Sequence, residues 1–119
     1  MKQLSTALKI KEKLVLNEII IHLPSLILYE LGSILRKHPA KSFEDVKAHF
    51  EDLLNLGVII HDFKDPDMLA NAFQASKDLN ITFYDACYII LAEKNKSAFI
   101  TADQELYEKA RRKVEVSLL

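Results

Sequence analysis

Between Ile81 and Ala110 the chain reads ITFYDACYIILAEKNKSAFITADQELYEKA, and this stretch constrains the fold more than any other. Asp85 stands just inside a predicted helix, Ala98 to Thr101 make a short apolar run of strand character, and Asp103 falls where that run gives way to another helix. Two acids thus sit at element boundaries. In open α/β sheets ligands bind in the crevice beyond the carboxyl ends of the strands, so an acid directly after a strand is a candidate site residue.

The rest of the chain repeats the alternation. Met1 to Leu16 carries a loose helical period among lysines, and Glu18 to His22 is a β-branched run that reads as a buried strand ended by Pro24. Pro24 and Ser25 open a helix that runs to about Lys37 and stops at His38-Pro39, because the residue before a proline is pushed out of the α region. Ser42 and Asp45 form a capping box for a helix that Gly57 terminates. Val58 to Phe63 reads as a second strand, followed by a helix from Pro66 to Leu79 that ends at Asn80. Thr82 and Asp85 form a second capping box, Ala98 to Thr101 a third strand, Asp103 to Arg112 a helix, and Val114 to Leu119 a final strand. Strands separated by helices imply a mostly parallel sheet with helices on its faces, since parallel neighbours need long crossovers.

The 119 residues suit one domain, and a chain of this length buries roughly two-thirds of its unfolded surface without a metal or disulfide staple. A formal net charge of -1 gives no global attraction to nucleic acid, although Arg111, Arg112 and Lys113 form a local basic run. Cys87 is the single cysteine and reads as a small apolar core residue. With two glycines, Gly32 and Gly57, the chain has no glycine-rich phosphate loop. No apolar run is long enough to span a membrane and no signal peptide is evident, so a cytoplasmic location is expected. The four histidines, His22, His38, His49 and His61, lack metal-type spacing and read as structural or surface residues. Phe83, Tyr84 and Tyr88 read as core rather than as stacking platforms.

Among the acids, Glu30 is the hardest to explain by folding alone. It lies three residues after Ile27 and four before Ile34, on a helix face that should meet the core, where an isolated carboxylate is costly. Either it sits at the edge of the stripe and reaches solvent or a basic partner, or it belongs to a site. Asp85 and Asp103 can each serve as helix caps, and Thr101 can cap or line a site at the same strand end. If the fold brings the three carboxylates to one crevice, they repel one another unless a cation intervenes, and hard oxygen donors suit Mg²⁺ or Mn²⁺.

PSLILYELGSILRK, with Glu30, and FYDACYIILAEKNKSAFITAD, with Asp85 and Asp103, resemble the acidic motifs of the PIN-domain family of VapC-like toxin ribonucleases. The resemblance covers nearly the whole chain and is most specific from Thr82 to Asp103. It implies a Rossmann-like α/β/α sandwich and a Mg²⁺ or Mn²⁺ site held by Glu30, Asp85 and Asp103, with Thr101 as the accompanying hydroxyl. It further implies cleavage of RNA and an antitoxin protein as partner. The chain departs from the family pattern at its start, where no strand ending in Asp followed by Thr or Ser is found; Asp62, Asp65 and Asp67 are in the wrong place to replace it. The expectation is therefore a single PIN-like domain over residues 1–119, incomplete at its N-terminus, with three of four acids and no central strand. A slot left by that strand favours a homo-oligomer or another partner chain. Two functions follow: a metal-dependent ribonuclease weakened by the loss of one ligand, or a catalytically inert PIN-like interaction module.

Overall fold

The computed structural model describes residues 19–119, so the predicted helix over Met1 to Leu16 and the first residue of the predicted first strand, Glu18, lie outside the described residues. The elements run β1 (His22–Pro24), α1 (Leu26–Arg36), α2 (Phe43–Leu54), β2 (Ile59–His61), α3 (Pro66–Leu79), α4 (Phe83–Lys94), β3 (Phe99–Thr101), α5 (Gln104–Ala110) and β4 (Val116–Leu118). Their boundaries follow from local chemistry. Ser42 and Asp45 close both arms of the capping box at 3.1 Å, and Asp65 caps α3 through the Asp67 amide at 2.9 Å, with Pro66 in the first turn. Asn80 ends α3 in the left-handed conformation, φ 54°, which asparagine tolerates better than most residues. At α4 the box is half made: the Thr82 hydroxyl accepts from the Asp85 amide at 3.0 Å, and the Asp85 carboxylate does not return the bond.

The first strand differs from its predicted span, lying at His22–Pro24 instead of Glu18–His22, with Pro24 inside it. The ladder explains why proline is tolerated there. The Ile59 amide donates to the Ile21 carbonyl and the Ser25 amide to the His61 carbonyl, both at 2.8 Å, so Ile21 and Ser25 face β2. In a parallel ladder successive residues alternate sides, and Pro24 falls where no N–H is needed.

β1 pairs with β2 and β3 with β4, both in parallel, in registers that match His22 with Ile59 and Phe99 with Val116. Among the described residues these are two separate two-stranded sheets rather than one central sheet. The α4 helix packs against both β1 and β3 and most extensively against α3. Ala72 and Ala75 of α3 meet Ala86, Cys87 and Ile90 of α4, small side chains that let the helices approach closely, while Leu79, Ile89, Leu106 and Ala110 form a second cluster beside Phe99 and Val116. Buried residues surround α4 instead of forming one stripe, as in a helix enclosed on all sides. Ile89 is fully buried, and Ile89→Ala is expected to cost about 2–5 kcal/mol in urea unfolding; a loss below about 1 kcal/mol would show that this cluster does not carry the fold.

His22 and His61 face each other across β1 and β2, with Nδ1 and Nε2 2.8 Å apart. His61 is held below its ordinary value, first by burial, then by His22 and Lys94. The unfolded chain therefore takes up a proton more readily than the folded one below about pH 6.5, and stability falls as pH drops through that value. His61→Gln is expected to flatten the decline between pH 7 and 5; an unchanged pH profile of the unfolding midpoint would assign the decline elsewhere.

Candidate functional site

Glu30 lies midway along α1, half-buried, and its carboxylate accepts a hydrogen bond from the Tyr88 hydroxyl. Among the described residues no basic side chain forms an ion pair with it. Tyr88 stands one turn beyond Asp85 on α4, so the two share a helix face. At the end of β3 the Thr101 hydroxyl accepts from the Asp103 amide at 3.1 Å, and the Asp103 carboxylate accepts from the Leu106 amide at 3.1 Å. Both bonds fix the strand-to-helix corner. Asp103 is thus a helix cap, and only one of its oxygens is engaged in capping.

A cavity of about 1000 Å³ is bordered by Glu30, Asp85, Tyr88 and Thr101, with Leu31, Ile34, Phe99 and Ile100 supplying much of its apolar wall. A second cleft of about 370 Å³ is bordered by Thr82, Asp85, Asp103 and Lys109. Asp85 belongs to both. The structure therefore brings Glu30, Asp85 and Thr101 to one cavity and sets Asp103 in the adjoining cleft, with Asp85 between them. Tyr88 is the residue that the sequence reading placed in the core; its i, i+3 relation to Asp85 is the signal that ties it to the site.

The field at Asp85 is negative. Its carboxyl is pushed above the ordinary value, first by burial and then by the charges of Glu30 and Asp103, against which the Thr82 hydroxyl works. Lys109, which borders the second cleft, is turned to the Asn80 carbonyl and Glu105, each at 3.0 Å. Burial and the bond to Glu30 push the Tyr88 hydroxyl well above the usual tyrosine range, so it stays protonated and donates. Burial likewise raises the Cys87 thiol, which is inert packing.

In kind, these carboxylates and hydroxyls fit a hard divalent cation, and Mg²⁺ keeps several waters while binding through one or two carboxylates. They do not form a closed cage: among the described residues no three His, Cys, Asp or Glu side chains are gathered closely enough to hold an ion. The local basic run is also largely engaged, with Arg111 bonded to Glu108 at 3.4 Å and Lys113 to Glu93 at 3.3 Å. No described helix is long and apolar enough to cross a membrane.

Because the folded chain holds a proton on Asp85 more tightly than the unfolded chain does, this group lowers stability as pH rises through and above the ordinary carboxyl value. Asp85→Asn is expected to raise the thermal midpoint at pH 7, with the advantage shrinking towards pH 4. A lower midpoint at pH 7 would contradict the repulsion described.

Residues 3–112 match the family model of the PIN domain. The chain is 28% identical over 92 residues to Ribonuclease VapC3 of Pyrobaculum aerophilum, covering 75% of this chain and 70% of that protein. It is also similar to the crystal structure of PAE2754 from Pyrobaculum aerophilum, with a TM-score of 0.56 and 28% identity. That match covers 74% of this chain and 64% of the solved chain, so this chain spans less than two-thirds of that relative's length. With an α/β fold of parallel strands and a family match over most of its length, the chain belongs to the PIN domain family.

Proposed function

We propose that this chain is a PIN-type, metal-dependent ribonuclease and the toxin of a toxin–antitoxin pair, with Glu30, Asp85 and Asp103 as ligands for Mg²⁺ or Mn²⁺. The observation that carries the reading is the placement of Glu30, Asp85 and Thr101 on one cavity, with Asp103 in the cleft that adjoins it through Asp85. Membership of the PIN family supports it, because PIN-domain nucleases generally use divalent metal ions. The similarity to a ribonuclease named VapC3 supports RNA as substrate and an antitoxin as partner.

A bound divalent ion would supply Lewis acidity and a water of lowered pKa for phosphodiester hydrolysis. The chain's own residues set the stage for that chemistry. Tyr88 donates to one oxygen of Glu30 and so fixes the carboxylate's orientation. Thr82 restrains the start of α4, so that Asp85 stays at the boundary of the two clefts. Thr101 and the Leu106 amide fix the corner that carries Asp103. Leu31, Ile34, Phe99 and Ile100 give the larger cavity an apolar wall beside Glu30 and Asp85.

A second reading, an inert PIN-like interaction module, is favoured by the open spacing of the acids, which form no cage. Calorimetric titration with Mn²⁺, paired with an RNA cleavage assay, separates the two. Asp85→Asn and Asp103→Asn are each expected to weaken Mn²⁺ binding by at least about tenfold and to remove cleavage. Unchanged affinity and cleavage in Asp103→Asn would remove that residue from the site, and absence of both in the unaltered chain would favour the inert module.

A further inference from the structure

We infer that the corner between α1 and α2, built on Arg36, His38, Lys41 and His49, grips the sugar-phosphate backbone of a single RNA strand that runs on into the acid cavity. The inference rests on the proposed ribonuclease reading and adds to it the contact by which this chain holds its substrate. Carboxylates that attract a cation repel the phosphates on either side of the one that the cation holds. Those phosphates need a cationic surface nearby, and several of the described cations are already engaged: Lys109, Arg111 and Lys113 pair with Glu105, Glu108 and Glu93, and Lys64 with Asp62.

The α1–α2 corner is where cations stand without carboxylate partners. Between Arg36 and His49 the chain sets Arg36, Lys37, Lys41 and Lys47 against only Glu44 and Asp45, although its overall net charge is -1. All four cations are exposed, and among the described residues none forms an ion pair. Asp45 is committed to the capping box, where its carboxylate accepts from the Ser42 amide at 3.1 Å; its bonds to Ser42, and after them the charges of Lys41 and His49, hold its carboxyl below the ordinary value. A pocket of about 310 Å³ bordered by Gly32, Arg36, His38, Lys41 and Val46 has no acid on its wall. Arg36 and Lys37 also suit the negative end of the α1 dipole, but Lys41 lies beyond that helix and has no such reason to be basic.

Lys41 joins this pocket to the acids. Its Nζ donates to His49 Nε2 at 3.2 Å, since an ammonium group has donors only. His49 in turn borders the cavity of about 1000 Å³ that Glu30, Asp52, Asp85 and Thr101 also border, so the basic pocket and the acid cavity meet at one side-chain bond. The corner is fixed in advance: the Lys41 amide donates to the His38 carbonyl at 3.2 Å, and Ser42 caps α2 directly after it. Along α1, Arg36 stands about 9 Å beyond Glu30 at ~1.5 Å per residue, the length of about three stacked nucleotides at ~3.4 Å each. A strand whose scissile phosphate lies at the acids therefore sets a phosphate about three nucleotides away at the corner. Contacts of this kind position the strand and carry no base preference.

The test is fluorescence anisotropy of a fluorescein-labelled single-stranded RNA of about twelve nucleotides, titrated with the full chain in EDTA at KCl concentrations from ~50 to ~200 mM. Lys41→Gln and Arg36→Gln are each expected to weaken binding at least about threefold at low salt and to lower the slope of log affinity against log salt by about 0.7, whatever the RNA sequence. Lys41→Arg is expected to bind like the unaltered chain, as is Lys64→Gln, which removes a lysine paired with Asp62. Unchanged affinity and slope in both Lys41→Gln and Arg36→Gln, an equal loss in Lys64→Gln, or no RNA binding by the unaltered chain would each overturn the inference. Equal competition by a poly-glutamate peptide of the same charge would also overturn it, giving the corner to an acidic polypeptide instead. Because the binding assay holds no metal, binding through the corner with no cleavage on adding Mn²⁺ would sink the nuclease reading and keep the contact, while cleavage with unaltered binding in the two variants would do the reverse.

Discussion

Burial of α4 on nearly every side is the constraint on which the rest of the molecule depends. Ala86, Cys87, Ile89, Ile90, Leu91 and Ala92 leave the helix no polar face through its middle, so it must be enclosed by other elements. The α3 helix closes one side through Ala72 and Ala75, and Leu106 and Ala110 of α5 close another. The strand pairs β1–β2 and β3–β4 share no hydrogen-bond ladder with each other among the described residues, and α4 is the element that packs on both.

That packing also makes the site. Because α4 is fixed in the interior, its first turn projects Asp85 and its second projects Tyr88 towards α1, where Glu30 waits, and β3 delivers Thr101 and Asp103 at the same end. Burial first, and then the charges of Glu30 and Asp103, push the Asp85 carboxyl above its ordinary value, so its charged form lowers stability. Apolar burial offsets it: a fully buried isoleucine stabilises by about 1.5–3 kcal/mol, more than the repulsion of partly solvated carboxylates. Acids held near one another by packing, with no basic side chain paired to them among the described residues, are suited to attract a cation.

Much of this was legible in the sequence because the informative signals are local. Ser42 with Asp45, Asp65 with Pro66, and Asn80 announce helix ends through bonds that span two or three residues, and the structure makes those bonds. The position of β1 was not legible, since Pro24 is compatible with a strand only when the ladder turns it away from its partner, a fact of register that the segment does not contain. The separation of the strands into two sheets depends on which edges meet, which is likewise non-local. At the site, Glu30 stood out as an acid on an apolar face, but its partner Tyr88 is 58 positions away and looked like an ordinary core aromatic. Asp103 was correctly open to two readings, for it caps α5 and borders the acidic cleft at once.

The most direct test of the proposal that Glu30, Asp85 and Asp103, arranged around one buried helix, share one cation site is paramagnetic broadening of amide signals by Mn²⁺. Substoichiometric Mn²⁺ is predicted to broaden the signals around Glu30, Asp85 and Asp103 together, with one common affinity, and to spare the distant capping box at Ser42. Broadening confined to one of these elements, or centred on other acids such as Asp62 or Asp67, would contradict the account.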